Sequence, residues 1–363
     1  MPELIFLIIL CGYFIQSVLF VIGAKKKFPR LNEDELPTAT VIVSARDEED
    51  NILNCLESLN KLEYPQGKLK IIIVDDHSSD NTGAIIDNFI KSKSIFKKIV
   101  PDEPKGKMVG KVNALATAIR EANSEIILTT DADCQVKPNW VKTIASYYHE
   151  NIGMVDSYTT QIANSQFSGM QAIDFIYLLL VGGGTINLGT PISCIGNNMS
   201  FRKKAYDEIG GYEALPFSVT EDFTLLRAVN KLEKYKIIFP LEKDALVTSR
   251  ACADIKSLYH QKKRWAVGGL DVPLLGYIIM FWGFATNLGI ILTPLLFSPV
   301  WLYLVFFKIT IDLFVLYPIH QKLGIAKNLK YFLIYQVYYT LYVIALPFIV
   351  FISRKVIWKG REY

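Results

Sequence analysis

The sequence is poor in the residues that build disulfide frameworks and soft-metal centres. Its five cysteines, Cys11, Cys55, Cys134, Cys194 and Cys252, are scattered, odd in number and free of any CxxC pair. That pattern suggests neither a disulfide framework nor a zinc site. The four histidines are equally scattered, which argues against a histidine-based metal centre. A strong charge of one sign is also missing. Thirty-nine Lys and Arg against 35 Asp and Glu leave a net charge of +4, so the composition does not point to nucleic acid. No GxGxxG follows the first predicted strand, and no GxxxxGKS or GxxxxGKT occurs. Dinucleotide and P-loop chemistry are thereby disfavoured.

Apolar sequence is abundant instead. Of 363 residues, 51% are hydrophobic, which fits a soluble-type domain with membrane segments attached. Residues 4–23 (LIFLIILCGYFIQSVLFVIG) form one run of bilayer-spanning length. KKK follows it, no basic stretch precedes it and no small-residue cleavage site is present, so it reads as an uncleaved anchor. Runs near 272–296, 298–318 and 331–353 bring the expected spans to four. Basic clusters at 25–30, 261–265 and 320–330 flank these runs, as expected of cytoplasmic membrane edges. Residue 25 onward is then cytoplasmic. Simple alternation would leave the basic tail RKVIWKGREY outside, unless one C-terminal segment is re-entrant or interfacial. The stretch 167–189, interrupted by Asp174 and by Gly182–Gly184, suits either a buried core helix or an interfacial one. The expected organisation is an anchor (1–24), a catalytic domain with interfacial helices (25–265) and a C-terminal membrane domain with three apolar segments (266–363).

Residues 38–265 read as α/β. TATVIVSA (38–45), LKIIIVDD (69–76), KKIVP and SEIILTTDADC (124–134) are strand-like. Helical patterns at 47–62, from Asn81 onward and at 111–122 alternate with them, which predicts a mainly parallel central sheet. Ligands in such sheets sit beyond the carboxyl ends of the strands. Ser44–Glu48, Asp75-Asp76 and Asp131–Asp133 all fall there. Asp131 and Asp133, one residue apart at a strand tip, can hold a hard divalent cation together with a diphosphate. Asp75 and Asp76 exceed what a turn and helix cap need, and a carboxylate there can accept a base imide N–H. Arg264 and Trp265, within HQKKRW, add a phosphate-binding fork and a stacking surface to what is otherwise a membrane flank. In FSVTED (217–222), Thr220 or Glu221 suits a helix N-terminus, where the negative charge of Asp222 is also favoured.

The ordered set VIVSARDEE, VDDHSSDNT, GKVNAL, DAD, GNNMSFRKKAYDEIGGY, VTED and QKKRW resembles the membrane-bound family 2 glycosyltransferases of GT-A fold. The chain is similar in layout to cellulose, hyaluronan and chitin-oligosaccharide synthases and to ceramide and hopanoid glucosyltransferases. Its tail WKGREY is similar to the tails of the lipid-glycosylating members. The resemblance implies that Ala45, Asp47 and Glu48 line the nucleotide site, with Asp47 standing where the family usually has Asn. It implies that Asp75 and Asp76 contact uracil and ribose, and that Lys111 lies near the diphosphate. Asp131 and Asp133 would bind UDP and Mg²⁺ or Mn²⁺. Asp222 would be the general base, with Glu221 beside it, while Gln261, Arg264 and Trp265 hold the diphosphate and frame the acceptor. The implied reaction is inverting transfer from an α-linked UDP-sugar, giving a β-linked product. A lipid acceptor and a growing glycan both fit. The lipid reading suits a chain with four spans, and the processive synthase reading would need a homo-oligomer or a partner subunit to complete a channel. A non-enzymatic membrane scaffold is a third reading, opposed by the intact acids. The implied location is the bacterial inner (plasma) membrane, with the catalytic domain in the cytoplasm.

Overall fold

A computed structural model describes residues 1–103, 108–358 and 361–362. The chain forms two compact units. One joins Lys26–Thr160 to Cys194–Arg250. The other collects Met1–Lys25, Gln161–Ser193 and the chain from Ala251 on. Residues 161–193 and 251–265, which the sequence places with the catalytic domain, therefore group with the apolar helices.

The first unit contains strands β1 (Ala39–Ala45), β2 (Leu69–Asp75), β3 (Phe96–Ile99), β4 (Ile126–Asp131), β5 (Ile152–Asp156), β6 (Thr159–Gln161), β7 (Met199–Arg202), β8 (Lys236–Ile238) and β9 (Val247–Ser249). Seven of them make one sheet in the order β3-β2-β1-β4-β7-β5-β8, while β6 pairs with β9. The sheet is mainly parallel, as expected, but β7 runs antiparallel to both β4 and β5. β-Branched and apolar runs such as ATVIVSA are buried on both faces, the pattern of a covered parallel sheet. Register brings the strand tips level: Ala45 pairs with Asp75, and Ser44 pairs with Asp131. The helix expected over 47–62 is shorter, Ile52–Leu59. Asp47 sits at φ 51°, in the left-handed region, so the helix cannot begin there. The buried Asn198 ties the turn before β7 into the core. Its Oδ1 accepts from Trp140 Nε1 at 2.9 Å, and its Nδ2 donates to the Tyr158 and Ala245 carbonyls.

In the second unit, five helices among the described residues are long and apolar enough to cross a membrane: Pro2–Ala24, Gln166–Asn187, Leu274–Ile291, Pro299–Leu323 and Ala326–Ile352. Gln166–Asn187 is the buried core helix of the two alternatives, with Ile173, Ile176, Leu179 and Leu180 among its buried side chains. The chain on both sides of it contributes strands to the one seven-stranded sheet. The glycine interruption has a steric reason. A Cβ on Gly184 would stand 2.7 Å from the Phe20 backbone, so two helices approach backbone to backbone there. Deeper in the bundle, polar groups satisfy one another. Lys308 Nζ pairs with Asp312 at 2.8 Å, Gln336 bonds both, and the Tyr13 hydroxyl donates to Asp312 Oδ1 at 2.7 Å. The tail segment Ile357–Trp358 packs on the helix Ile255–Gly268. The WKGREY similarity rests partly on residues 359, 360 and 363, which lie outside the described residues.

Candidate active site

Three groups of side chains meet the strand tips of the sheet unit. The first lies at the β1–β2 edge. Asp75 Oδ1 accepts from the Ser78 N–H at 3.1 Å, and its Oδ2 faces Lys98 Nζ at 3.5 Å. Asp76 donates its N–H to the Ala45 carbonyl at 2.8 Å and pairs with Arg46 at 3.6 Å. Asp47 Oδ1 accepts from both N–H and Oγ of Ser79, at 2.7 and 3.0 Å, and these bonds hold its carboxyl below the usual range. Asp and Asn are the side chains that tolerate its left-handed backbone, which accounts for an Asx residue at this position. Glu48 is fixed through its N–H to Thr82 Oγ1 at 2.8 Å and its Oε2 to Asn51. Sequence reasoning passed over Arg46 and Lys98. Arg46 was legible as the one cation inside ARDEE, whereas Lys98 lies on a separate strand and only pairing reveals it.

The second group surrounds the tip of β4. Lys111, first residue of the helix Lys111–Glu121, bridges Asp131 at 2.7 Å and Glu221 at 3.4 Å. Burial works against its charge, but the Asp131 and Glu221 carboxylates outweigh burial and hold it protonated well above the ordinary lysine range. Burial, then the neighbouring Asp131 carboxylate, pushes Asp133 up to about 6. Two carboxylates crowded in this way form an all-oxygen donor set that a hard divalent cation would relieve, so the residues fit Mg²⁺ or Mn²⁺. Among the described residues no group of three or more His, Cys, Asp or Glu side chains assembles to hold a metal. Asp131 and Asp133 would therefore supply part of a coordination shell, with substrate oxygens and water supplying the rest.

The third group is built on the helix Glu221–Lys231, whose first two residues are Glu221 and Asp222. Thr220 stands at the N-cap position without a side-chain cap bond, so the expected cap is positional only. Asp222 Oδ1 accepts from the Phe223 N–H and Oδ2 from the Gly196 N–H, both at 2.8 Å. Gly196 opens the turn that Asn198 anchors, and a Cβ there would lie 3.3 Å from Asp222 Oδ2. Sequence reasoning quoted GNN without giving Gly196 a part. It also missed Asp156, another acid at a strand tip, which closes the strand IGMVD.

Gln261, Arg264 and Trp265 belong to the other unit, on the helix Ile255–Gly268. Lys262, which the sequence assigns to a membrane flank, is buried there. It forms an ion pair with Asp174, whose Oδ1 also accepts from the Tyr342 hydroxyl at 2.6 Å. The Trp265 indole stacks on Phe175 at 5.5 Å, with the Lys262 ammonium 4.5 Å from its centroid.

Two family models match the chain: "Glycosyl transferase family 2" over residues 40–210 and "Glycosyl transferase family group 2" over 126–352. A probable glycosyltransferase of Bacillus subtilis is 29% identical over 258 residues, covering 68% of this chain and 58% of that relative. The beta-monoglucosyldiacylglycerol synthase of Trichormus variabilis is 26% identical, over 70% of this chain and 54% of that protein. The poly-beta-1,6-N-acetyl-D-glucosamine synthase of Staphylococcus aureus is 27% identical, over 81% and 68%. The chain thus spans little more than half the length of the first two relatives. Among solved structures, a mannosyltransferase from Pyrobaculum calidifontis, in complex with GDP-Man and Mn²⁺, superposes with a TM-score of 0.60 at 18% identity. It covers 93% of this chain and 99% of its own.

Proposed function

Since the chain belongs to glycosyltransferase family 2, we propose that it is an inverting enzyme moving a sugar from a UDP-sugar to a membrane lipid. The observation that carries this reading is the Lys111 bridge between Asp131 and Glu221, which gathers the strand-tip acids and the Glu221-Asp222 pair into one constellation. A divalent cation, when bound, would neutralise the diphosphate leaving group. Asp131 and Asp133 would hold it, while Asp75 and Asp76, with Ala45, Asp47 and Glu48 around them, would orient the uridine. Lys111 places a permanent positive charge beside the diphosphate, and Gln261 and Arg264 are proposed to add further hydrogen bonds and charge to it. Asp222 takes the acceptor hydroxyl proton as that oxygen bonds to the anomeric carbon and the carbon–diphosphate bond breaks. Attack from the far face turns an α-linked donor into a β-linked product. A positioned base of this kind typically supplies about 10²–10⁴-fold in rate.

A lipid acceptor is favoured over a growing glycan by Trp265, whose indole is engaged by Phe175 and Lys262 of the chain itself. Relatives named for a glucosyldiacylglycerol and for a poly-N-acetylglucosamine product keep both acceptors in view. The protein is proposed to sit in the bacterial inner membrane with the sheet unit in the cytoplasm. Packing of the tail on Ile255–Gly268 supports a cytoplasmic tail, which requires that one of the three C-terminal helices does not cross. The test is incubation of membranes with a panel of UDP-sugars and Mg²⁺ or Mn²⁺, with products identified by mass spectrometry. A discrete β-linked glycolipid, lost in EDTA and in Asp222→Asn, is expected. A ladder of long polymer would favour the processive reading, and an unaffected Asp222→Asn would remove the base assignment.

A further inference from the structure

Asp156 closes β5 and is fully buried, and neither of its carboxyl oxygens has a hydrogen-bond partner. An unpaired buried carboxylate is costly, so the group is stable there only as a neutral acid, with one proton to donate. Its surroundings leave that proton few destinations. The Tyr148 hydroxyl nearby donates to Ser200 Oγ at 2.7 Å, and Ser200 in turn donates to the Val155 carbonyl. The Cys194 thiol is a weak acceptor, and burial raises its proton affinity. Burial, and then the negative charge of the Asp222 carboxylate, hold the Asp156 carboxyl well above the usual carboxylate range. The backbone puts the two on neighbouring segments. Asp156 pairs with Met199 in β7, the Ser157 N–H donates to the Asn198 carbonyl at 3.0 Å, and Gly196 in that same turn holds Asp222 Oδ2.

We propose that Asp156 is a positioning residue for the base: a neutral carboxyl, buried on the strand beside the turn that holds Asp222, that donates its O–H toward it through one water and keeps it ionised. A carboxylate oxygen can accept more than one hydrogen bond, so an added donor is compatible with the Gly196 and Phe223 N–H groups that Asp222 accepts. A donor to the charged form favours that form, so Asp156 lowers the pH at which the base is lost. This inference rests on Asp222 being the base.

The experiment compares Asp156→Leu and Asp156→Asn in the full-length protein in membranes. Leucine removes the donor and asparagine keeps one. Asp156→Leu should move the acid limb of the kcat–pH profile up by about one pH unit, which is about tenfold in kcat on that limb, with donor KM unchanged. Asp156→Asn should restore the wild-type limb. Melting in detergent gives a readout independent of turnover. A carboxyl whose pKa is raised on folding stabilises the native state fully below its unfolded value, near pH 4, and loses that contribution as pH rises. The melting temperature of wild type relative to that of Asp156→Leu should therefore fall as pH increases from 4. An acid limb in Asp156→Leu that coincides with wild type overturns the proposal, as does an asparagine variant that behaves like leucine or a melting difference independent of pH. If Asp222→Asn were fully active, the base assignment itself would fail, which is a separate outcome.

Discussion

Replacing Gly196 with alanine tests how the base is held. The new methyl would lie 3.3 Å from both Cβ and Oδ2 of Asp222 and 3.6 Å from its Cγ. Carbon contacts are most favourable near 3.5–4.0 Å, so the carboxylate must retreat by about 0.3–0.5 Å. The bond stretched by that retreat is the 2.8 Å Gly196 N–H to Oδ2 contact, while the Phe223 N–H continues to hold Oδ1. A hydrogen bond to a charged group is worth about 1.5–3 kcal/mol, and weakening one of two by about half costs roughly 1 kcal/mol, or about fivefold. Misplacement of the base relative to the acceptor oxygen adds to this, since about 1 Å can cost as much as 10²-fold. The expected result is a fall in kcat of about 5–20-fold with donor KM unchanged, far milder than Asp222→Asn. Initial rates of labelled sugar transfer, alongside a melting curve showing a folded protein, provide the measurement. Wild-type kcat in a folded Gly196→Ala protein would refute the argument, because the close approach would then not position the carboxylate.

Gly83→Ala should act on the donor instead. Its Cβ would stand 2.7 Å from Asp75 Oδ2, displacing the proposed uracil contact, so donor KM should rise about tenfold while kcat changes little. An unchanged KM would detach Asp75 from nucleotide binding. Lys262→Met should lower stability strongly, by about 3–5 kcal/mol, because it leaves the buried Asp174 carboxylate without its cation. Lys262→Met combined with Asp174→Leu should recover most of that loss in a detergent melt. A double variant no more stable than the single one would show that the ion pair is not the cause.

Much of the site was legible because its chemistry is local. Acids at strand tips (Asp75, Asp76, Asp131 and Asp133) announce themselves when an apolar β-branched run ends in carboxylates. Glu221 and Asp222 do so when they precede a helical pattern. Four bilayer-length runs were equally plain from composition, because a span needs only length and apolarity. Other features depended on pairing between distant segments. Strand β7 enters the sheet antiparallel between β4 and β5, where Asp156 pairs with its Met199, and the turn before it brings Gly196 to Asp222. Lys262 reads as a flank charge until the fold buries it on Asp174, 88 residues away. The stretch 167–189 was ambiguous because hydropathy cannot tell a helix covered by protein from one lying at a membrane surface. Sequence alone thus determined which chemical groups the protein owns and the order in which strands deliver them. Register, burial and close backbone approach, which arise only when remote segments pack, decided which groups touch and which lose their water.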